Sequence, residues 1–286
     1  MKGMGDINVI GVDLGGTKIL AGKVRDGKMT ASHKTLVPGT GSENEVLDAL
    51  FDAIDEVIDE DISGIGVGVP SVVNIEKGIV YDVQNIPSWK EVHLKDILEH
   101  RYGVSVNINN DANCFAAGEK HFGQGRNFES FAAVINGTGM AAGIVIHNRL
   151  YNGLNCGAGE FGTMPYLDHN FEYYCSGQFF NNVHHVNGET VFQRAEEGDE
   201  KALAMFEELG RHFGHAINSI LYAIDPEAII LGGSVSKAFT YFEKSMWKSI
   251  EKLAYRSVVE NLTIKLSSNP DIAVLGAAAL YFDAKN

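Results

Sequence analysis

Two glycine–threonine corners and one aspartate at the head of a helix are the residues of this sequence best suited to chemistry. The first corner lies in Val9-Ile-Gly-Val-Asp-Leu-Gly-Gly-Thr-Lys-Ile-Leu-Ala-Gly-Lys-Val24, the second in Ala132-Ala-Val-Ile-Asn-Gly-Thr-Gly-Met-Ala-Ala-Gly-Ile-Val-Ile146. In each, an apolar strand ends at glycine and threonine and another begins at once. That predicts a β-hairpin with a bare tip, where backbone N–H groups and one hydroxyl can close on an anion. Ordinary hairpins also turn on glycine, but two such tips point towards two related halves gripping one polyphosphate. Asp13, at the strand end before the first corner, could orient hydrated Mg²⁺ or simply hold the turn. Asp111 follows a strand and opens a helix in Asn109-Asn-Asp-Ala-Asn113. Beside the positive end of the helix dipole its carboxylate would stay ionised and could accept a proton from an attacking hydroxyl. An Asx residue at a helix start is also suited to capping it. The residues alone lean to the cap and leave both roles open.

Neither common phosphate motif fits. Gly11-x-x-x-Gly15-Gly16 is not the G-x-G-x-x-G that opens a helix, and no G-x-x-x-x-G-K-[ST] occurs. Lys18-Ile-Leu-Ala21 after the first corner is strand-like, which excludes a Rossmann or P-loop context. His212 and His215 read as solvated helix residues rather than ligands. A metal site improvised from Cys156, Cys175 and His169 is not favoured.

The elements that must carry these residues alternate between periods of two and 3.6. Strands are expected over 8–12, 18–24 and 29–37. Ser42-Glu-Asn-Glu45 supplies a capping box, and Leu47, Leu50, Phe51, Ile54, Val57 and Ile58 follow as one helical stripe. A buried strand over 64–69 stops at Pro70. A helix over 94–102, a strand over 104–108 and a helix from 112 to about 122 complete the first half. The second half repeats the order: strands around the second corner, a glycine-rich loop over 148–162, and a long helix over 200–223. A strand over 227–231 then closes on Gly232-Gly233-Ser234. A helix to about 256, a strand over 262–267 and a terminal helix from about 272 follow. Strands then helices, twice over, indicate an α/β architecture of two related lobes with a ligand cleft between them. We place the first lobe at 1–118, completed by the helix 272–286, and the second at 119–271.

Composition narrows the partners. The 286 residues suit two domains of ordinary size, and 45% apolar with 21% charged residues fits a soluble globular protein. No apolar stretch approaches the roughly 18 residues of a membrane span. The sequence enters a strand almost at once, leaving no room for a signal peptide. Three cysteines (Cys114, Cys156, Cys175) without framework spacing read as reduced thiols in a cytoplasmic protein. Net charge is −14, from 37 acidic and 23 basic residues, with no basic cluster for nucleic acid. An acidic protein still binds ATP where local backbone donors and Mg²⁺ outweigh distant screened charge.

Asp13-Leu-Gly-Gly-Thr-Lys18, Asn110-Asp-Ala-Asn113, Asn136-Gly-Thr-Gly139, Ala158-Gly-Glu-Phe-Gly162 and Leu231-Gly-Gly-Ser234 occur in this order. The ordered set resembles the ROK family, which groups bacterial sugar kinases with related repressors, and it covers nearly the whole chain. The resemblance implies the duplicated actin/hexokinase-like (ribonuclease H-like) fold and an ATP:sugar phosphotransferase, glucokinase-like, acting with Mg²⁺. Under it, Asp13, Gly15, Gly16, Thr17, Lys18, Gly137, Thr138 and Gly139 hold the phosphates. Gly232 and Gly233 approach the adenosine, and Asp111 becomes the base. Asn85, in Gln84-Asn-Ile-Pro-Ser-Trp89, resembles the asparagine that bonds a sugar hydroxyl. Asn110, Glu160 and Glu172 stand at the other polar sugar positions, with Ser71 where many members have glycine. The favoured acceptor is the 6-hydroxyl of a hexose or hexose derivative, and a homodimer is compatible.

One departure is large. Many members follow the glutamate loop with a histidine and a cysteine-rich zinc knot. This sequence has Thr163 at the histidine position and Pro-Tyr-Leu-Asp-His-Asn-Phe between Met164 and Glu172. Zinc needs four N/S ligands, typically with a C-x₂₋₄-C pair, so no zinc and no other metal ligand set is expected. Thr163 is shorter than histidine, which implies a roomier sugar pocket, tolerant of a substituent or preferring a sugar other than plain glucose. Two rival readings are a sugar-responsive regulator and a non-catalytic sugar-binding protein. About six residues before the first strand leave no space for a helix-turn-helix module, and the intact Asp111 and corners argue against lost activity.

Overall fold

Alternating side chains around both glycine–threonine corners fold into two five-stranded sheets with one strand order. The computed structural model describes residues 7–285. Residues 1–6, read above as too short for a leader or a DNA-binding module, lie outside them, as does Asn286 of the expected terminal helix. The first sheet comprises β1 (Asn8–Leu14), β2 (Lys18–Arg25), β3 (Lys28–Leu36), β4 (Ile62–Val69) and β5 (Ser105–Asn110). Its order is β3-β2-β1-β4-β5. β1, β2 and β3 pair antiparallel as consecutive hairpins, while β4 and β5 run parallel to β1. The second comprises β6 (Phe131–Asn136), β7 (Met140–Ile146), β8 (Arg149–Tyr151), β9 (Ala228–Gly232) and β10 (Thr263–Leu266). Its order is β8-β7-β6-β9-β10, again with the last two strands parallel to the first. The duplication expected of an actin/hexokinase-like fold is therefore visible strand by strand.

Strand chemistry follows position. β4 and β9 lie inside their sheets and read as near-continuous apolar runs, as parallel strands covered on both faces must. β3 is an edge, and its Lys28, His33 and Lys34 discourage pairing with another chain.

The helices are α1 (Glu43–Asp55), α2 (Leu94–Tyr102), α3 (Asp111–Phe122), α4 (Phe171–Cys175), α5 (Phe179–His184), α6 (Gly188–Glu196), α7 (Glu200–Ile224), α8 (Phe239–Ile250), α9 (Arg256–Asn261) and α10 (Ile272–Asp283). The capping box of α1 forms as read: Ser42 and Glu45 exchange side-chain-to-backbone hydrogen bonds. α10 is apolar all round because it lies buried in its unit.

The chain divides into two compact units. One holds the described residues of Met1–Asn127 and Ser268–Asn286 together with Gly143–Ala158; the other is Phe128–Ala142 with Gly159–Ser267. This differs from a division at 118/119, because α3 runs unbroken through that point. Residues 143–158 join the first unit because β7 lies against α3: a β-carbon on Gly143 would sit 2.3 Å from the Ala112 carbonyl oxygen. The first unit packs its core around Val12, Leu14, Ile65, Val67 and Trp89. There α3 is tied to α10 by Lys120 and His121, whose nitrogens lie 2.5 and 3.0 Å from Asp283 Oδ1.

Candidate functional site

β5 ends and α3 begins within one residue, and this junction sets the chemistry of the first unit. Asn110, in extended conformation, is the N-cap: its side-chain oxygen accepts from the N–H groups of Ala112 (2.8 Å) and Asn113 (3.4 Å). The capping role open to Asp111 in the sequence is thus filled by its neighbour. Asp111 occupies the first helical position, and its Oδ1 accepts from the Ala112 N–H at 2.8 Å. Burial raises its carboxyl above the ordinary range, partly opposed by hydrogen bonds from the backbone of Ala112 and of Asp111 itself. Asp13, delivered by β1, is pushed up to about 6, first by burial and then by the charge of Asp111. The charge of Asp111 thus reaches Asp13 in one largely buried corner.

Asn109 supports this corner, a role not seen in the sequence. Its Oδ1 accepts from the Asn110 N–H (2.8 Å), Asn113 Nδ2 (2.9 Å) and the Cys156 thiol (3.3 Å). Its Nδ2 donates to Asn152 Oδ1 at 2.9 Å. The signal was the Asn-x-x-x-Asn spacing of 109 and 113, which puts both amides on one side of the junction.

The first corner closes with the Gly15 N–H donating to the Lys18 carbonyl at 2.9 Å. Gly16, Thr17 and Lys18 form the tip, with Thr17 and Lys18 exposed. Asn85 sits on a turn held by Ile86 and Trp89, both fully buried, and its side chain lies over Gly16. A β-carbon on Gly16 would stand 2.7 Å from Asn85 Nδ2. The structure thus brings the expected sugar asparagine and phosphate corner together. Ser71 donates its hydroxyl to the Tyr81 carbonyl, so its remaining capacity is as an acceptor.

In the second unit the corner closes similarly, with the Gly137 N–H donating to the Gly139 carbonyl at 3.0 Å and Thr138 exposed at the tip. Glu172, in the first turn of α4, accepts from the Met140 N–H through Oε2 at 3.0 Å, beside Gly139. Glu160 precedes a single helical turn over Phe161–Thr163, and Thr163 donates its hydroxyl to the Glu160 carbonyl at 2.8 Å. Gly232 ends β9 in the sheet, and Gly233 has φ +87° with its α-carbon close against Asn136. The loop that follows lines a cavity of about 570 Å³ together with Gly137 and Thr138. Phe180, Phe192, Asn187 and Glu189 also line it; they were not legible in the sequence because α5 and α6 are too short to show a period. His212 is not a solvated residue: it is half-buried among Tyr166, Tyr174 and Phe179.

All three cysteines are buried thiols. Among the described residues no group of three or more His, Cys, Asp or Glu is placed to hold a metal ion. None of the described helices is long and apolar enough to cross a membrane.

A family model described as the ROK family matches residues 9–284. The chain belongs to the ROK family. Among relatives of this ROK protein, the glucokinase of Thermotoga maritima is 29% identical over 314 aligned positions, covering 97% of this chain and 98% of that one. The glucokinase of Streptomyces coelicolor is 30% identical over 262 positions, covering 79% and 82%. A ROK-family glucokinase from Streptomyces griseus, solved with glucose and AMPPNP, superposes with a TM-score of 0.80 at 28% identity. It covers 96% of this chain and 98% of its own.

Proposed function

We propose that this ROK protein transfers the γ-phosphoryl group of ATP to a hydroxyl, favoured as the 6-hydroxyl, of a hexose of the glucose class. One observation carries the reading: Asn110 is the N-cap of α3 and Asp111 commits only Oδ1, to the Ala112 N–H, so its Oδ2 is available as a base. A relative that binds glucose and AMPPNP together supports the substrate pair.

Asp111 takes the proton of the attacking hydroxyl as its oxygen approaches the γ-phosphorus. Burial that raises a carboxyl makes it a stronger base, and such assistance typically supplies about 10²–10⁴-fold in rate. Asn110 spends its side-chain oxygen on the cap, leaving its NH₂ group to donate to the sugar. Asn85, Ser71, Glu160 and Glu172 supply the remaining hydroxyl partners. Gly16, Thr17 and Lys18 at the first corner, and Thr138 and Gly139 at the second, are the donors to phosphate oxygens. The adenosine takes the cavity beside Gly232 and Gly233, where Phe180 and Phe192 offer aromatic faces.

The residues present fit Mg²⁺: Asp13 and Asp111 are like charges in a largely buried corner, an arrangement a divalent cation relieves. Asp13 would hold the hydrated ion. When bound, Mg²⁺ neutralises charge on the phosphate oxygens. The proposed enzyme is cytoplasmic and acts on a small-molecule sugar.

A coupled assay of ADP release with Mg-ATP, run over a panel of hexoses and derivatives, tests the function. Release that depends on a hexose is expected. ADP release indifferent to every sugar would contradict it.

A further inference from the structure

Within the second unit, a chain of polar and aromatic contacts leads from the Glu160–Glu172 loop into the helices behind it. The loop folds back as a short hairpin, Pro165–Tyr166 against His169–Asn170, directly before α4. Tyr166 is its hub. Its ring stacks on Phe171 at 4.4 Å and meets Tyr174 edge-on at 5.7 Å. Its hydroxyl lies 3.0 Å from His212 Nδ1 on α7. His212 Nε2 faces Glu208 Oε1, one turn earlier on α7, at 3.9 Å. Glu208 Oε2 in turn lies 3.2 Å from His184 Nε2 at the end of α5, close but poorly aligned for a hydrogen bond. His169 stacks on Tyr173 at 3.9 Å, and Asn170 caps α4 through the Tyr173 N–H.

Each link restricts the next. A tyrosine hydroxyl facing a ring nitrogen fixes the imidazole's orientation, and the carboxylate behind the ring favours a proton on the far nitrogen. Burial lowers His212 below its ordinary value, so the neutral ring that accepts from Tyr166 is the form present at neutral pH. Phe171, stacked on Tyr166, is buried and adjoins Glu172, so the orientation of Tyr166 bears directly on that carboxylate. A side chain that must hold a ligand within about 0.5 Å needs its neighbours locked by packing and hydrogen bonds.

We propose that Tyr166 and His212, backed by Glu208 and His184, are positioning residues that lock α4 and thereby set the carboxylate of Glu172 for the sugar. None of them touches substrate. The kinetic part of this inference rests on the assignment of Glu172 to the sugar site; the structural part does not.

The test uses the full chain in five forms: wild type, Tyr166→Phe, His212→Phe, the double variant carrying both of these, and His212→Asn, which keeps an acceptor near the Nδ1 position. Hydrogen–deuterium exchange over residues 160–176, without ligand, reads the lock. Tyr166→Phe and His212→Phe should lose protection there, with His212→Asn recovering most of it. In steady state, each Phe variant should raise the sugar KM about tenfold, the worth of one lost hydrogen bond. kcat and the KM for ATP should stay within about twofold, and the double variant should match the singles because one contact is shared. Unchanged exchange in both Phe variants would overturn the lock. Lost protection with an unchanged sugar KM would overturn the link to Glu172. No sugar-dependent turnover in the wild type would instead fail the kinase assignment, leaving the exchange result to judge the lock.

Discussion

Asn110 caps the helix that Asp111 opens, its side-chain oxygen 2.8 Å from the Ala112 N–H. Division of labour between these neighbours lets an aspartate sit at a helix N-terminus with only Oδ1 engaged, by the same Ala112 N–H. The carboxylate is held by burial above its ordinary range and remains free to accept a proton.

That shift has a sign that kinetics can read. Asp111 must be ionised to act as base, so kcat/KM should fall as pH drops through its raised pKa. The acid limb should therefore lie above the ordinary carboxylate range near 3.8. A pH–rate profile in saturating Mg-ATP measures it, and a limb at or below the ordinary value would contradict the burial of the base.

Asp13 makes a separate prediction about stability without ligands. Its pKa rises from 3.8 to about 6 in the folded state, so the native protein binds this proton more tightly than the unfolded chain does. The resulting stabilisation is fully present below about 3.8 and is lost as pH rises through about 6. Asp13→Asn should then be more stable than wild type at pH 8 by up to about 3 kcal/mol, with little difference at pH 4. Chemical denaturation at both pH values, in EDTA, measures the difference. Equal stability at pH 8 would mean the two carboxylates do not burden the fold.

Each corner is predicted to donate to phosphate oxygens of ATP. Thr17→Val or Thr138→Val should each weaken ATP binding by about 1–3 kcal/mol, the worth of a hydrogen bond to a charged group. Sugar binding without nucleotide should be untouched. Calorimetry showing unchanged ATP affinity in both variants would remove the two-corner model.

The Thr163 loop should work without zinc. Thr163 ties back to the Glu160 carbonyl, and Tyr166 packs the loop through Phe171 and His212. Elemental analysis should find well under one zinc per chain, and a zinc-selective chelator should leave activity intact in ample Mg²⁺. Stoichiometric zinc whose removal abolishes turnover would overturn this.

Much of the framework was legible in the residues. Apolar alternation around Gly15-Gly16 and Gly137-Thr138-Gly139 marked both hairpins, because period-two burial and a bare turn leave a local signature. The Ser42–Glu45 capping box announced α1 for the same reason. The cap at α3 was harder to read, since Asn110 and Asp111 are both good cap residues and only coordinates tell which is N-cap. The cluster around Tyr166 and His212 was hidden because its members are 46 positions apart and meet through tertiary packing alone. The cavity lined by Phe180, Phe192 and Glu189 was missed for want of length: α4, α5 and α6 have five, six and nine residues. The unit boundary was displaced because β7 passes between units within a single strand, which no change of composition marks.

The central claim is that Asp111 is the base of a sugar kinase, and one comparison tests it most directly. Transfer of labelled γ-phosphate from Mg-ATP to glucose would be followed in single turnover for wild type and Asp111→Asn, with glucose and ATP affinities measured alongside. The account predicts sugar phosphate formation by the wild type and a rate lowered by roughly 10²–10⁴ in the variant, with both affinities nearly unchanged. Transfer by Asp111→Asn at the wild-type rate would contradict it and leave Asp111 a structural residue of the α3 N-terminus.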